Sequence, residues 1–365
     1  MHTVRFGVVG LGRGRSFVRL CQAVGGATVV ALHDIDAARV TAAAAVIGAR
    51  AFTDYAQFLA ADLDAVIIAS PLPFHARQSI AALAAGKHVL SEVTAAATLD
   101  DARALVTAAR ASAGVYMLAE NSRYLDEVEL VKRLHDAGRF GAVYYGEGEY
   151  IHDCRGLWHQ EDGSLTWRGR GELSVYCTHS LGPLLYVTGD RVASVGALAV
   201  PGGKFDPQVI MPTLHLLQMT TTTGVTLRVR VDHVSPRPHQ MTYYALQGTS
   251  GSYEAWRGHG DTSKVWLSDE HEPSLFRDPA RWHPLYEQAA RHIPDRLAAP
   301  PEARLGGHGT SEYWLLHDFL AAVRGEIPAP IDVYRGLDYT LPGLCAALSA
   351  AQGGAPIAVP DPREW

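Results

Sequence analysis

Residues 4–15 read VRFGVVGLGRGR, an apolar run that ends in three closely spaced glycines, Gly10, Gly12 and Gly14. This pattern is typical of a buried strand that turns sharply into a helix. Glycines at such a turn let the backbone approach a dinucleotide pyrophosphate, which binds at the helix N-terminus. Arg15 occupies the sixth place of the motif, so the turn, including Arg13 within it, is by itself an unspecific signal.

The second predicted strand makes the signal specific. It ends in His33-Asp34, about 22 residues after Gly12. An acid at this place binds the ribose hydroxyls of NAD and repels the additional phosphate of NADP. Arg39 lies close in sequence and could accommodate that phosphate, so NAD is favoured over NADP but NADP stays open.

The order of segments predicts two domains. Residues 4 to about 120 alternate continuous apolar runs with alanine-rich helical segments, which indicates parallel strands covered on both faces, a doubly wound Rossmann sheet. After residue 140, alternating strands predict an α+β domain with an open, largely antiparallel sheet. We therefore expect a dinucleotide-binding domain over 1–124 and a substrate domain over 125–365, with a long loop region over 258–308.

Composition excludes several classes of protein. The 365 residues are 47% hydrophobic and carry a net charge of −6 without a long run of either sign, so neither a nucleic-acid surface nor a membrane surface is indicated. No segment approaches the length of a membrane helix. The four cysteines are scattered, which predicts reduced thiols and a cytoplasmic location. His152-Asp153 has no third ligand at a recognisable spacing, so no metal is predicted.

The fourth predicted strand ends in ASPLPFH, which places Ser70 and His75 at the carboxyl edge of the sheet, where open sheets bind ligands. His75 is either a contact on the cofactor side or a helix-capping residue. The fifth strand ends in Glu92-Val93-Thr94. The glycine turn, Asp34, ASPLPFH and AALAAGKHVLSE together resemble the Gfo/Idh/MocA family of sugar and inositol oxidoreductases. Members of that family usually have Glu-Lys-Pro at the fifth strand, with the lysine active in acid/base chemistry.

Val93 replaces that lysine, and in this respect the chain is similar to one branch, the NAD-dependent glycoside hydrolases of family 109, typified by α-N-acetylgalactosaminidase. The further matching stretches are AENSRY (119–124), GEGEYIHDCRG (146–156), Trp167-Arg168, YCTHSLGP (176–183), SPRP (235–238), GHG (307–309) and PAPIDVY (328–334). Cys177 and Ser180 depart from the branch, which has proline and glycine there, and both changes fall around the expected sugar pocket.

The resemblance implies a tightly bound NAD that oxidises a sugar at C3, elimination of the C1 substituent, addition of water and return of the hydride. It places Tyr150, Arg168, Tyr176 and His179 in the sugar pocket, with Glu120 on a sugar hydroxyl. The residues expected to bind the cofactor are Gly10, Gly12, Arg13, Gly14, Asp34, Ser70, His75, Glu92 and Asn121.

The side chains themselves suggest where the missing base lies. Val93 cannot accept a proton, so the base must come from the second domain. His179 and Tyr176 are three residues apart on a predicted loop before a helix and could face the nicotinamide together. Structural roles remain open for the same residues: a helix-terminal histidine (His179), packing or core tyrosines (Tyr176, Tyr150), paired charges (Arg168, Arg155) and a turn cap (Glu92).

Three functions are consistent with these observations. The first is a glycoside hydrolase without net redox, and the second is a net NAD(P)-dependent dehydrogenase or reductase of a sugar or inositol. The third is a non-catalytic protein that binds NAD or a sugar. In each case the partner is a small sugar or glycoside, and the exposed face of the second sheet predicts a homo-oligomer.

Overall fold

A computed structural model of the chain describes residues 3–268 and 282–365. The N-terminal strands are β1 (Val4–Val9), β2 (Ala27–His33), β3 (Arg50–Phe52), β4 (Ala65–Ile68), β5 (His88–Ser91) and β6 (Tyr116–Leu118). The helices between them are α1 (Gly14–Ala23), α2 (Ala37–Ile47), α3 (Tyr55–Leu59), α4 (His75–Ala84) and α5 (Leu99–Ala111). The six strands are parallel, in the order β3-β2-β1-β4-β5-β6. This confirms the predicted doubly wound sheet.

The local sequence explains these elements. Every residue of β4 is buried, because helices cover both faces of a parallel sheet and the strand has no solvent side to alternate with. Asp36, Asp54 and Thr98 are the N-cap residues that precede α2, α3 and α5, and each of these side chains accepts a hydrogen bond from the backbone N–H three residues further on.

The following part of the chain builds a second sheet. Its elements are α6 (Asp126–Asp136), β7 (Val143–Ile151), α7 (Trp167–Arg170), α8 (Thr178–Thr188), β8 (Val192–Pro201), β9 (Pro212–Thr221), β10 (Thr226–Asp232), β11 (Gln240–Gly248), β12 (Gly251–Glu254), β13 (Lys264–Leu267), β14 (His283–Pro284), α9 (Ala289–His292) and α10 (Pro294–Leu297). The chain ends with α11 (Ser311–Val323), α12 (Val333–Ala351) and β15 (Ile357–Ala358). The strand order is β14-β13-β12-β11-β7-β10-β9-β8-β15. Among the described strands of this second sheet, only β7 and β10 pair in parallel, which confirms the predicted, largely antiparallel sheet.

The predicted long loop over 258–308 is wrong where the structure describes it. Four short elements, β13, β14, α9 and α10, lie in this segment. Each spans only two to four residues, too few to produce a periodic pattern in the sequence. Residues 269–281 of the segment lie outside the described part of the chain.

The chain divides into two compact units. The first comprises Met1–Tyr124, Pro300–Asp338 and Asp361–Trp365, and the second comprises Leu125–Ala299 and Tyr339–Pro360. The sequence prediction assigned 300–338 and 361–365 to the C-terminal domain, but in the structure both segments belong to the first unit. Phe319 of α11 packs against Phe6 of β1 with 6.1 Å between ring centroids, and the Leu118 N–H donates to the Ile331 carbonyl over 2.9 Å.

The four cysteines, Cys21, Cys154, Cys177 and Cys345, are all buried as thiols. Across residues 3–268 and 282–365, no helix is both long enough and apolar enough to cross a lipid bilayer.

Candidate functional site

The glycine turn between β1 and α1 has a distinct requirement at each glycine. Gly10 has a φ of +82°, and a Cβ there would lie 2.6 Å from backbone atoms of residues 69–70. A Cβ on Gly14 would lie 2.8 Å from Cγ1 of Val8, so this glycine permits close packing of helix on strand. A Cβ on Gly12 would meet nothing within 4 Å. The open space at Gly12 fits the close approach of a dinucleotide pyrophosphate to the helix N-terminus.

Asp34 lies directly after β2, beside this turn. Its carboxylate is buried and accepts hydrogen bonds from the backbone N–H of Leu11 (2.8 Å) and of Asp36 (3.0 Å). Nη1 of Arg39 lies 3.4 Å from the same carboxylate. The structure therefore brings together the glycine turn and the acid, and these residues fit the diphosphate and a ribose of NAD.

The loops that follow β4 and β5 are tied together by His75. This buried residue opens α4, and its Nε2 lies 2.7 Å from the Ser70 carbonyl oxygen while Nδ1 lies 3.1 Å from the Thr94 carbonyl oxygen. Burial lowers the pKa of His75, so the neutral ring donates to one of these oxygens at a time. Ser70 Oγ donates to Gln78 Oε1 over 2.5 Å. His75 thus links two loops at the carboxyl edge of the sheet, a role that sequence reasoning did not foresee.

Glu92, at the end of β5, forms an ion pair with Arg13 of the glycine turn. Nε of Arg13 donates to Oε1 of Glu92 over 2.8 Å, and the Val93 N–H lies 3.3 Å from Oε2. Arg13 also pairs with Glu312 in the first turn of α11. Glu312 was missed from the sequence, because nothing local connects it with residue 13.

Glu120 and Asn121 follow β6 and belong to the first unit, as do the residues expected to bind the cofactor. Glu120 is fully buried, and its Oε1 accepts a hydrogen bond from the Ser122 N–H over 3.0 Å. Asn121 is mostly buried and begins a 3-10 turn over Asn121–Tyr124. Glu120 was expected to hold a sugar hydroxyl, and that role stays a prediction.

The remaining predicted substrate and catalytic residues form an aromatic cluster within the second unit. Tyr150 lies near the end of β7, and its ring stacks on that of His179 with 5.0 Å between centroids and 18° between planes. The Tyr176 ring stacks on that of Tyr150 with 5.7 Å between centroids, and it lies tilted against the His179 ring at 6.0 Å. The predicted loop is wrong here, because Tyr176 lies in a 3-10 turn over Ser174–Cys177 and His179 in the first turn of α8. The helical turn places the two side chains on one face.

A second histidine supports Tyr150. The Tyr150 hydroxyl lies 3.1 Å from Nδ1 of His152, and the His152 ring meets that of His239 edge to face at 4.5 Å. Burial and the neighbouring charges of His239 and Arg168 lower the pKa of His152 to about 4. His152 is therefore neutral at physiological pH and can accept the hydroxyl proton of Tyr150 in a hydrogen bond.

Arg168 and His233 complete a small cavity beside the cluster. The cavity is lined by Tyr150, His152, Cys154, Arg168, Leu173, Tyr176 and His233. The Arg168 guanidinium lies 4.2 Å from the ring centroid of Trp167, which orients it. His233 is buried, and its pKa is lowered to about 3, chiefly by burial. The cavity thus combines one cation with two neutral imidazoles and two tyrosine side chains.

Sequence reasoning did not single out His233 and His239. Both flank the SPRP stretch at 235–238, which was recognised as a motif but given no role. His152 was considered only as a metal ligand. Among residues 3–268 and 282–365, no three His, Cys, Asp or Glu side chains form a possible metal site, and Asp153 instead holds Arg155 through contacts of 2.9 and 2.7 Å.

Known proteins share this architecture. Residues 4–120 match the model described as oxidoreductase family, NAD-binding Rossmann fold, and residues 213–364 match that of the glycosyl hydrolase 109 C-terminal domain. A structure of levoglucosan dehydrogenase in complex with NADH and L-sorbose aligns with a TM-score of 0.83 at 21% identity, over 99% of this chain and 100% of that chain. With the glycine turn and Asp34, these matches define an NAD-binding protein of the Gfo/Idh/MocA oxidoreductase fold.

Relatives that match nearly the whole chain identify the family more narrowly. A glycosyl hydrolase family 109 protein of Streptomyces coelicolor is 30% identical, over 98% of this chain and 83% of the relative. A family 109 protein of Saccharopolyspora erythraea is 27% identical over the same shares. The chain belongs to glycosyl hydrolase family 109, which confirms the resemblance found in the sequence.

Proposed function

We propose that this protein cleaves a glycosidic bond by a cycle with no net oxidation or reduction, using an NAD that stays tightly bound. The proposal is supported by membership of family 109 and by Val93 at the position of the usual lysine. The observation that carries it is the aromatic cluster of Tyr150, Tyr176 and His179, which contains the kinds of proton-transfer group that the fifth strand lacks.

Bound NAD⁺ supplies the hydride acceptor for C3 of the sugar and the same hydride for the final reduction. The side chains of the protein must transfer two protons during these steps. His179 takes the proton of the C3 hydroxyl as the alcohol becomes a ketone, and returns it at the end of the cycle. Tyr176 acts as the phenolate, beside the cation of Arg168 in the same cavity, and takes the C2 proton, which the neighbouring ketone makes acidic.

Arg168 and Tyr150 act on the charge that develops on the sugar. Loss of the C2 proton places negative charge on the ketone oxygen, and a fixed cation beside it lowers the barrier. Tyr150, held by His152, orients a sugar hydroxyl. The electrons of the C2–H bond then form a C1–C2 double bond, the C1–O bond breaks, and the leaving oxygen takes the proton held by Tyr176, so that the aglycone leaves as an alcohol. Water adds to C1 and a proton returns to C2, so atoms and electrons balance as in hydrolysis.

Turnover of nitrophenyl glycosides in D₂O tests this scheme. The as-purified protein should release nitrophenol from a suitable glycoside without added NAD⁺ and without a lasting rise in reduced nicotinamide absorbance. The sugar product should carry deuterium at C2 and the original hydrogen at C3. Reduced nicotinamide that accumulates in proportion to substrate, with added NAD⁺ required, would instead establish a net sugar dehydrogenase.

Variants of the two proton-transfer residues complete the test. We expect His179→Asn and Tyr176→Phe each to lower kcat by about 10²-fold or more, the usual contribution of a general acid or base. His317→Asn and Tyr145→Phe are matched controls, because His317 lies in the other unit and Tyr145 bonds Glu147 outside the cluster. NAD released on denaturation should be equal in all four variants. Activity that survives both cluster substitutions would contradict the assignment.

A further inference from the structure

A buried histidine of the second sheet contacts an acid that lies just before the turn of Tyr176. His215 occupies an inward position of β9, a strand in which buried and less buried residues alternate. Its side chain is fully buried, and its Nε2 lies 3.1 Å from Oε1 of Glu172. A polar ring in a core needs a polar partner, because water cannot reach it. Glu172 supplies that partner from the segment between α7 and the 3-10 turn over Ser174–Cys177.

Glu172 also shapes the beginning of this turn. Its Oε1 accepts a hydrogen bond from the backbone N–H of Ser174 over 2.9 Å. Burial opposes ionisation of Glu172, but the contact with His215 and the Ser174 N–H outweigh it and lower the pKa of the carboxyl group. The ionised carboxylate thus joins the start of the turn to the interior of β9.

Two other elements hold the same turn. His233, which follows β10, makes a polar contact with the backbone of Leu173 and meets the Tyr176 ring edge to face with 5.4 Å between centroids. On the side of α12, Oγ of Ser174 donates to the carbonyl of Gly343 over 2.8 Å. A Cβ on Gly343 would lie 2.6 Å from the backbone of the turn, so α12 approaches as closely as glycine permits. The turn is therefore fixed from three directions.

Glu172 can influence the candidate site only through this segment. Among the described residues, Leu173 and Tyr176 line the cavity and Glu172 does not. A buried ion pair often contributes no more stability than apolar side chains of similar volume, because both charges lose their hydration. What the pair adds is direction, since the carboxylate contacts His215 and the Ser174 N–H from one place.

We propose that Glu172 and His215 are positioning residues for proton transfer at C2 of the sugar. They fix the segment that carries Tyr176, so that the phenolic oxygen reaches the C2 proton. This inference rests on the proposed hydrolytic cycle and adds two residues to it, neither of which touches the sugar. A displacement of about 1 Å at a reacting group can cost about 10²-fold in rate.

Deuterium in the substrate shows which step depends on Glu172. Glycosides with hydrogen or deuterium at C2 or at C3 are turned over by wild type and by Glu172→Ala. In the variant we expect kcat to fall about 10- to 100-fold and the isotope effect at C2 to rise, while that at C3 does not. Reduced nicotinamide should accumulate on the variant during turnover, because hydride transfer from C3 then precedes a slower step.

Three further variants control for loss of structure. Glu172→Gln keeps an oxygen that can accept from His215 and Ser174, and it should recover most of kcat. Asp190→Ala removes a buried acid of the same unit, one that accepts from the Arg191 N–H over 2.8 Å. It should lower the free energy of unfolding in urea without changing either isotope effect. The double variant Glu172→Met/His215→Leu replaces the ion pair by apolar side chains, and it should fold and show the same rise at C2.

Several results would overturn this role. One is an unchanged kcat in folded Glu172→Ala or in the folded double variant. Another is a lower kcat with the C2 isotope effect of wild type, and a third is a loss that Glu172→Gln does not relieve. The cycle itself is tested by wild type alone: a product without solvent deuterium at C2 would overturn the hydrolytic cycle, and the inference with it.

Discussion

Substituting alanine for the glycines of the β1–α1 turn separates the part of this turn that holds the fold from the part that meets a ligand. Gly10→Ala forces an alanine into a φ of +82°, at about 1–2 kcal/mol. It also drives a methyl group to 2.6 Å from the backbone of residues 69–70, and such overpacking costs about 1–3 kcal/mol more. We expect the free energy of unfolding to fall by about 2–5 kcal/mol.

Gly48→Ala is the matched control for the backbone cost. Gly48 ends α2 with a φ of +70°, and a Cβ there would meet nothing within 4 Å. This variant should therefore lose only about 1–2 kcal/mol. Urea unfolding followed by tryptophan fluorescence measures both. Equal losses for Gly10→Ala and Gly48→Ala would refute the close approach between the turn and the end of β4.

Gly12→Ala should have the opposite effect, with little change in stability and a loss of NAD⁺ affinity. Because no protein atom lies near the added methyl group, stability should stay within about 0.5 kcal/mol of wild type. The methyl group would occupy the space open to a diphosphate, and we expect NAD⁺ affinity to fall at least about tenfold, or 1.4 kcal/mol. Titration of NAD⁺ into protein freed of bound dinucleotide measures this affinity. Unchanged affinity in a folded Gly12→Ala protein would refute the location of the cofactor site.

Two further predictions concern charge. Asp34→Asn removes the acid beside the turn, so the preference for NAD⁺ over NADP⁺ should fall about tenfold in paired titrations; an unchanged ratio would show that Asp34 does not select the cofactor. Burial lowers the pKa of His233 from 6.5 to about 3. Between these two pH values His233 therefore binds a proton in the unfolded chain but not in the folded protein. Stability should fall as the pH drops from 6.5 toward 3, and His233→Gln should weaken this loss in urea unfolding at pH 7 and pH 5; an equal loss in the variant would contradict the shift.

The first sheet could be predicted because its signals are local. Runs such as the apolar residues of β4 are continuous only where helices cover both faces, and the three glycines mark the turn between β1 and α1. The alternating strands after residue 140 likewise indicated a sheet with one face toward helices.

The sequence does not show to which of the two compact units the C-terminal helices belong. The apolar residues of α11 show that the helix is buried, but they do not specify which sheet it covers. In the structure Phe319 packs on Phe6, more than 300 residues earlier in the chain. Such a contact has no local signature in a single sequence.

Part of the candidate site could be predicted because some of its residues lie close together in the sequence. Tyr176 and His179 lie in one short motif, and the structure stacks both on Tyr150. His233 and His239 come from a different strand end and join the cluster only through pairing of the sheet. The Arg13–Glu312 pair joins residues 299 positions apart, and neither residue type is unusual in its own surroundings.

The packing of α11 on β1 has a consequence for biosynthesis. The first unit needs Pro300–Asp338 to complete its core, although its sheet is encoded by the first 124 residues. At translation rates of about 5–20 residues per second, a ribosome needs roughly 10–40 s to advance from residue 124 to residue 338. Through that interval the nascent sheet presents the uncovered ring of Phe6 to chaperones, and a gene fragment cut after codon 124 would leave it bare permanently.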